Sequence, residues 1–126
     1  MSETGEEREG EKMEPIVKEK VQSILERFVH QEAYLHLETT NGAYAAHHRG
    51  GLNAGAYIRN GRIHVERAII AGNGPYRVGL KISQGWVYAE GLTDWEVDQK
   101  GRLLLAGHDQ EGHLAVAMEL SRHPFE

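Results

Sequence analysis

The feature of this sequence that most limits its fold is a change of hydrophobic period near Gln31. Upstream, Val17, Val21, Ile24, Leu25 and Phe28 recur at three- and four-residue intervals, opposite a polar face of Lys18, Glu19, Gln22 and Glu26. That spacing predicts one amphipathic helix over residues 15–29, with Pro15 in its first turn, lying against a sheet. Downstream the period is two. Leu35 and Leu37 alternate with Tyr34, His36 and Glu38; Val78, Leu80 and Ile82 alternate with Arg77, Gly79 and Lys81; Leu114, Val116, Met118 and Leu120 alternate with His113, Ala115, Ala117 and Glu119. Period two places one set of side chains on each face of a strand, the pattern of half-buried antiparallel sheet. Strands are expected over 33–39, 43–48, 54–60, 62–70, 76–83, 86–91, 94–97, 102–107 and 113–120, with Asn60-Gly61 read as a hairpin turn. Fifteen glycines against three prolines supply the turns. The fold class that follows is mainly β: an antiparallel β-sandwich or a small barrel with one N-terminal α-helix.

With 126 residues there is material for one core, so residues 14–126 are expected to form a single β-rich domain. Residues 1–13 hold five glutamates and no apolar side chain besides methionine, and are expected to be a disordered acidic tail. The chain contains no cysteine, which removes disulfides, thiolate catalysis and cysteine-ligated zinc, and no stretch is apolar enough for a membrane helix. A cytoplasmic location, with neither membrane nor nucleic acid as partner, is the expectation. The net charge of −5 is uneven: residues 1–48, 49–81 and 82–126 carry −5, +5 and −5. An acidic chain lacks the basic surface that phosphate backbones require, but its central segment could hold one small anion. Two echoes occur. Asp98-Gln99-Lys100-Gly101-Arg102-Leu103 returns as Asp109-Gln110-Glu111-Gly112-His113-Leu114, and Gly42-Ala43-Tyr44 as Gly55-Ala56-Tyr57. Reused turn chemistry and similar strand starts account for both.

Eight histidines raise the question of chemistry. His36 and Glu38 share a strand face, His47-His48 stands at a loop mouth, and His108-Asp109 opens a turn. Imidazoles from His36, His47, His48 and His108 meeting at strand ends would suit a divalent zinc, nickel or iron ion. Without a metal, His36 with Glu38, or His108 with Asp109, would serve as acid and base once a bend aligned the second pair. None of these has a diagnostic metal-site spacing, and Ser23, Ser83 and Ser121 lack a nucleophile-elbow context. Residues 72–77 resemble a dinucleotide loop only until Arg77 takes the place of its third glycine. The basic segment offers Arg59, Arg62, Arg67, Arg77 and Lys81 as guanidinium and ammonium partners for an anion or for an acidic protein surface. Trp86 and Tyr88, on one strand face, would stack a ligand at its rim.

The strings Tyr34-Leu35-His36-Leu37-Glu38-Thr39-Thr40-Asn41-Gly42-Ala43-Tyr44-Ala45, Ala54-Gly55-Ala56-Tyr57-Ile58-Arg59-Asn60, Gly74-Pro75-Tyr76-Arg77-Val78-Gly79-Leu80-Lys81 and Tyr88-Ala89-Glu90-Gly91-Leu92-Thr93 resemble the YojF family. Leu103-Leu104-Leu105-Ala106-Gly107-His108-Asp109 extends the match, which runs from Pro15 to Phe125. The acidic tail departs from the family. The resemblance implies a small β-rich domain of unassigned role from spore-forming Gram-positive bacteria, and it transfers no catalytic residue. Family genes beside a zinc-dependent N-deacetylase of the bacillithiol type imply an accessory role with such an enzyme as partner. The leading expectation is a non-enzymatic binding or accessory protein, a homo-oligomer, holding a small anion or a partner with Arg59, Arg62, Arg77, Lys81, Trp86 and Tyr88. The alternative is a metal-dependent or acid–base enzyme built on the histidine and carboxylate residues.

Overall fold

The computed structural model describes residues 13–39 and 55–126. Its elements are β1 (Glu14–Pro15), α1 (Lys18–Glu26), β2 (Gln31–Thr39), β3 (Ala56–Val65), β4 (Arg67–Ala71), β5 (Tyr76–Ile82), β6 (Gly85–Leu92), β7 (Asp94–Val97), β8 (Leu103–His108) and β9 (Leu114–Ser121). They form two open antiparallel sheets, six strands in the order β1-β7-β8-β9-β2-β3 and three in the order β4-β5-β6. The structure thus decides for open sheets over a closed barrel. The expected strand at 43–48 and the acidic tail before residue 13 lie outside the described residues, as does the first half of the Gly42–Gly55 echo. No helix among the described residues is long and apolar enough to cross a membrane.

The two periods meet in one core. Leu35, Leu103, Leu105, Met118 and Leu120 from the large sheet face Ala68, Ile70, Val78, Leu80 and Ala89 from the small one. Val21 and Leu25 of α1 and Phe28 in the turn that follows it complete it. Removing a fully buried side chain of leucine size from water contributes roughly 1.5–3 kcal/mol, so this alternation is what holds the sheets face to face. Leu114, expected to be inward, is 43% exposed instead, because a bulge between Gly107 and His108 shifts the start of β9 off the core face.

Three boundaries differ from expectation for visible reasons. Pro15 does not open the helix: β1 pairs Glu14 with Trp95 and Pro15 with Asp94, Ile16 N–H donates to the Thr93 carbonyl, and α1 begins only after Val17. Proline suits this edge because it lacks the N–H that a second neighbour would need. Residues 62–70 are not one strand, since the chain leaves the large sheet after Val65 and enters the small one at Arg67. Asn60-Gly61 is not a hairpin turn. β3 runs straight through it, and the pairing steps from Leu35–Gly61 to Leu37–Ile58, so that Arg59 and Asn60 together oppose His36. Asn60 takes the left-handed conformation (φ 58°) that this bulge requires, which asparagine tolerates better than most residues.

Gln22 of α1 fixes the helix to the small sheet. Its side-chain N–H donates to the Ala68 carbonyl at 2.9 Å and its oxygen accepts from Ile70 N–H at 3.0 Å, so one amide pairs with β4 as a neighbouring strand would.

The Asp98 echo proves to be the same turn used twice. In each copy the first aspartate accepts two backbone N–H bonds through Oδ1: Asp98 from Lys100 and Arg102 at 2.9 and 3.0 Å, Asp109 from Glu111 and His113, both at 2.9 Å. They differ in burial. The Asp98 side chain is fully covered and also takes Arg102 Nε on Oδ2, whereas Asp109 is half-exposed. Asp98→Ala strands these buried donors and is expected to cost about 2 kcal/mol in urea unfolding, with Asp109→Ala costing clearly less. The backbone bond from His113 holds the Asp109 carboxyl below the usual carboxylate range. A depressed carboxyl stabilises the fold above its unfolded-state value and loses that contribution as pH falls through the folded one. Amide shifts of Glu111 and His113 followed down in pH should therefore titrate with a midpoint below that of a free aspartate.

Candidate functional site

The outward face of the small sheet presents two exposed aromatic side chains, Trp86 and Tyr88. Register places Arg67, Lys81 and Trp86 in one cross-strand row and Ile69, Gly79 and Tyr88 in the next. The Trp86 and Tyr88 rings are parallel within 8° with centroids 5.6 Å apart. Arg77 stands 5.0 Å from the Tyr88 ring centre and Arg67 stands 5.9 Å from that of Trp86. The rings stay 37% and 48% exposed. Gly79 makes this possible, since a Cβ there would stand 2.8 Å from Tyr88 Cε1 and push the ring off the sheet. At the far end of β6 a bulge sets Arg77 against Glu90 and Gly91, and Arg77 donates to Glu90 Oε2 through Nε and Nη2 at 3.0 and 2.6 Å. Clefts of about 300 Å³ and 290 Å³ flank this bulge, the first lined by Tyr76, Arg77 and Glu90, the second by Leu37, Tyr88 and Val116.

The central basic segment does not converge on one anion. Arg59 and Arg62 are carried by the large sheet, Arg67, Arg77 and Lys81 by the small one. Arg62 is bound to Glu32, Arg77 to Glu90 and Lys81 to Glu66. The Glu32 carboxylate, through its hydrogen bond and its charge, raises the affinity of Arg62 for its proton further above the ordinary arginine value. Arg67 has no carboxylate partner among the described residues.

His36 and Glu38 do meet: His36 Nε2 lies 3.1 Å from Glu38 Oε1, and Arg59 Nη1 lies 3.2 Å from His36 Nδ1. A guanidinium can only donate, so Nδ1 accepts and Nε2 carries the hydrogen given to Glu38. With both ring nitrogens engaged and 6% of its surface exposed, His36 is a strut in the sheet and has no lone pair to offer a substrate. His108 is not paired with Asp109. Its Nδ1 lies 3.2 Å from Asp94 Oδ1, while Asp109 faces His113, because the turn after β8 carries the aspartate away from the sheet. Thr93 donates to the same Asp94 oxygen at 2.6 Å. The hydroxyl and the carboxylate both approach the Nδ1 side of His108, so no nucleophile–base–acid relay is formed. His36 and His108 sit on strands separated by β9, about 10 Å apart at the usual spacing, too far to share an ion. His47 and His48 lie outside the described residues, and among the described residues no group of three histidines and carboxylates is placed to hold a metal.

Sequence reasoning left Asn60, Phe125, Asp94 and Glu90 out of the candidate set. Asn60 was hidden by a dipeptide that ordinarily makes a turn, and the other three are placed by long-range pairing that local pattern does not encode.

Fold and surface together define a small domain of two open antiparallel sheets, one presenting arginine and stacked aromatic side chains outward. The chain belongs to the family described as "Protein of unknown function (DUF1806)", which matches residues 15–125. It is 51% identical over 114 residues to the uncharacterized protein YojF of Bacillus subtilis (strain 168), covering 90% of this chain and 98% of that protein. The crystal structure of Bacillus subtilis YojF superposes with a TM-score of 0.78 at 48% identity, over 91% of this chain and 98% of that one.

Proposed function

We propose that this protein is a non-catalytic accessory module that docks an acidic partner protein on the face formed by Arg67, Trp86, Tyr88 and Arg77. The observation that carries this reading is the stack of two exposed rings with a guanidinium against each end. Tryptophan, tyrosine and arginine dominate the energetics of protein interfaces, and here all three share one sheet face. Charge favours an acidic partner, since among the described residues Arg67 has no carboxylate partner and the carboxylate on Arg77 is an exposed pair worth about 0–1 kcal/mol. A small free anion is the poorer occupant, because it would have to displace a carboxylate from Arg62, Arg77 or Lys81 in turn. The clefts beside Glu90 give a partner's side chains somewhere to insert.

The partner suggested by the family resemblance is a zinc-dependent N-deacetylase of the bacillithiol type. Calorimetric titration of that enzyme with this protein tests the reading: saturable binding that Arg67→Glu removes supports it, and no binding rejects that partner. Sedimentation velocity on the protein alone covers the remaining possibility, a second copy seated on the same face. The acid–base alternative now rests on His108 with Asp94.

A further inference from the structure

The last residues of the chain are held as a bound peptide would be. Asn60, lifted out of the β3 ladder by its bulge, donates from Nδ2 to the Phe125 carbonyl at 2.8 Å and accepts Phe125 N–H on Oδ1 at 2.6 Å. That is the pair of bonds a neighbouring strand would make, supplied by one side chain. Arg59 Nη2 donates to the Glu126 carbonyl at 2.7 Å. The Phe125 ring is 5% exposed, with the Arg59 guanidinium 4.8 Å and the Arg102 guanidinium 5.6 Å from its centre, and the His36 ring edge-on at 6.2 Å. Each holder is itself fixed: Arg59 by His36, His36 by Glu38, and Arg102 by Asp98. Pro124, His123 and Arg122, which lead to the ring, are exposed.

We infer that this is a recognition pocket for an aromatic-bearing peptide, closed in the resting protein by the chain's own Phe125. Two of its elements read backbone and are indifferent to sequence; the third is a cationic slot that only an aromatic ring fills well. The short connection from β9 keeps Phe125 at an effective concentration on the order of millimolar, so a peptide in trans competes only where the tail is displaced or weakened. The pocket lies on the large sheet and does not depend on the arginine–aromatic face of the small one.

The test uses the full chain and a fluorescein-labelled peptide Arg-His-Pro-Phe-Glu, read by anisotropy. Phe125→Ala should bind it saturably and at least about tenfold more tightly than the unsubstituted protein does. Phe125→Leu serves as the milder variant if the alanine chain is not folded by circular dichroism. Binding should vanish for the peptide with alanine in place of phenylalanine, and in Phe125→Ala combined with Asn60→Gly, which keeps the left-handed backbone but removes both amide bonds. Equal affinity of the variant and unsubstituted chains, or no loss with Asn60→Gly, overturns the proposal.

Discussion

Gly107→Ala is expected to destabilise this domain by about 3 kcal/mol, enough to lower its melting temperature by roughly 10 °C or more. A Cβ at this position would collide with the carbonyl oxygen of Gly91 and stand 2.6 Å from Val116 Cγ1. Val116 alone could turn aside, but the Gly91 carbonyl is main chain, set by a residue at φ 80° in the bulge of β6. The added methyl must therefore part β6 from β8 at this crossing, loosening Ala89 and Leu92 from the core. Gly85→Ala is the control. Nothing lies within 4 Å of its Cβ, and the change should stay within about 0.5 kcal/mol. Urea unfolding of both variants checks the pair; a Gly107→Ala chain as stable as the control would mean that the sheets are not held together at this crossing.

Trp86→Ala is expected to weaken partner docking by at least about 30-fold while leaving the urea midpoint nearly unchanged. The dissociation between the two readouts carries the argument. Trp86 lies on the outward face, so truncating it opens no cavity in the core, but it removes the ring against which both Tyr88 and Arg67 rest. Tyr88→Ala should behave likewise, and the double variant should lose less than the sum of the singles because the two rings are in contact. Titration of the N-deacetylase with each variant measures this. Unchanged affinity in the double variant would place docking elsewhere on the surface.

The sequence made legible whatever depends on neighbours within one element. β7 spans the expected residues 94–97, and Trp86 and Tyr88 share a face because two-residue spacing admits nothing else. The repeated aspartate turns followed from composition for the same reason. What stayed hidden depends on pairing between distant segments. His108 selects Asp94, fourteen positions away, over the aspartate beside it, because strand pairing brings β7 alongside β8. Arg59, Arg62, Arg67, Arg77 and Lys81 of the central segment were divided between two sheets by the crossing at Glu66, which no periodicity announces. Asn60-Gly61 carried the chemistry of a tight turn but was recruited to a bulge by β2 passing alongside, and with it went the clue to Phe125.

Gln22 has a consequence for how the protein behaves in a crowded solution. β4 closes one side of the small sheet, and an unclosed strand side is a template on which another chain can extend the ladder. Natural sheets commonly guard such sides with charge, proline or a covering strand. Here one neutral amide on a helix occupies the acceptor of Ala68 and the donor of Ile70. The guard is only as durable as the docking of α1, so any event that lifts the helix exposes its own apolar stripe and uncovers the strand in the same step. Local opening at the N-terminal helix and the tendency to coalesce are thus one equilibrium in this fold.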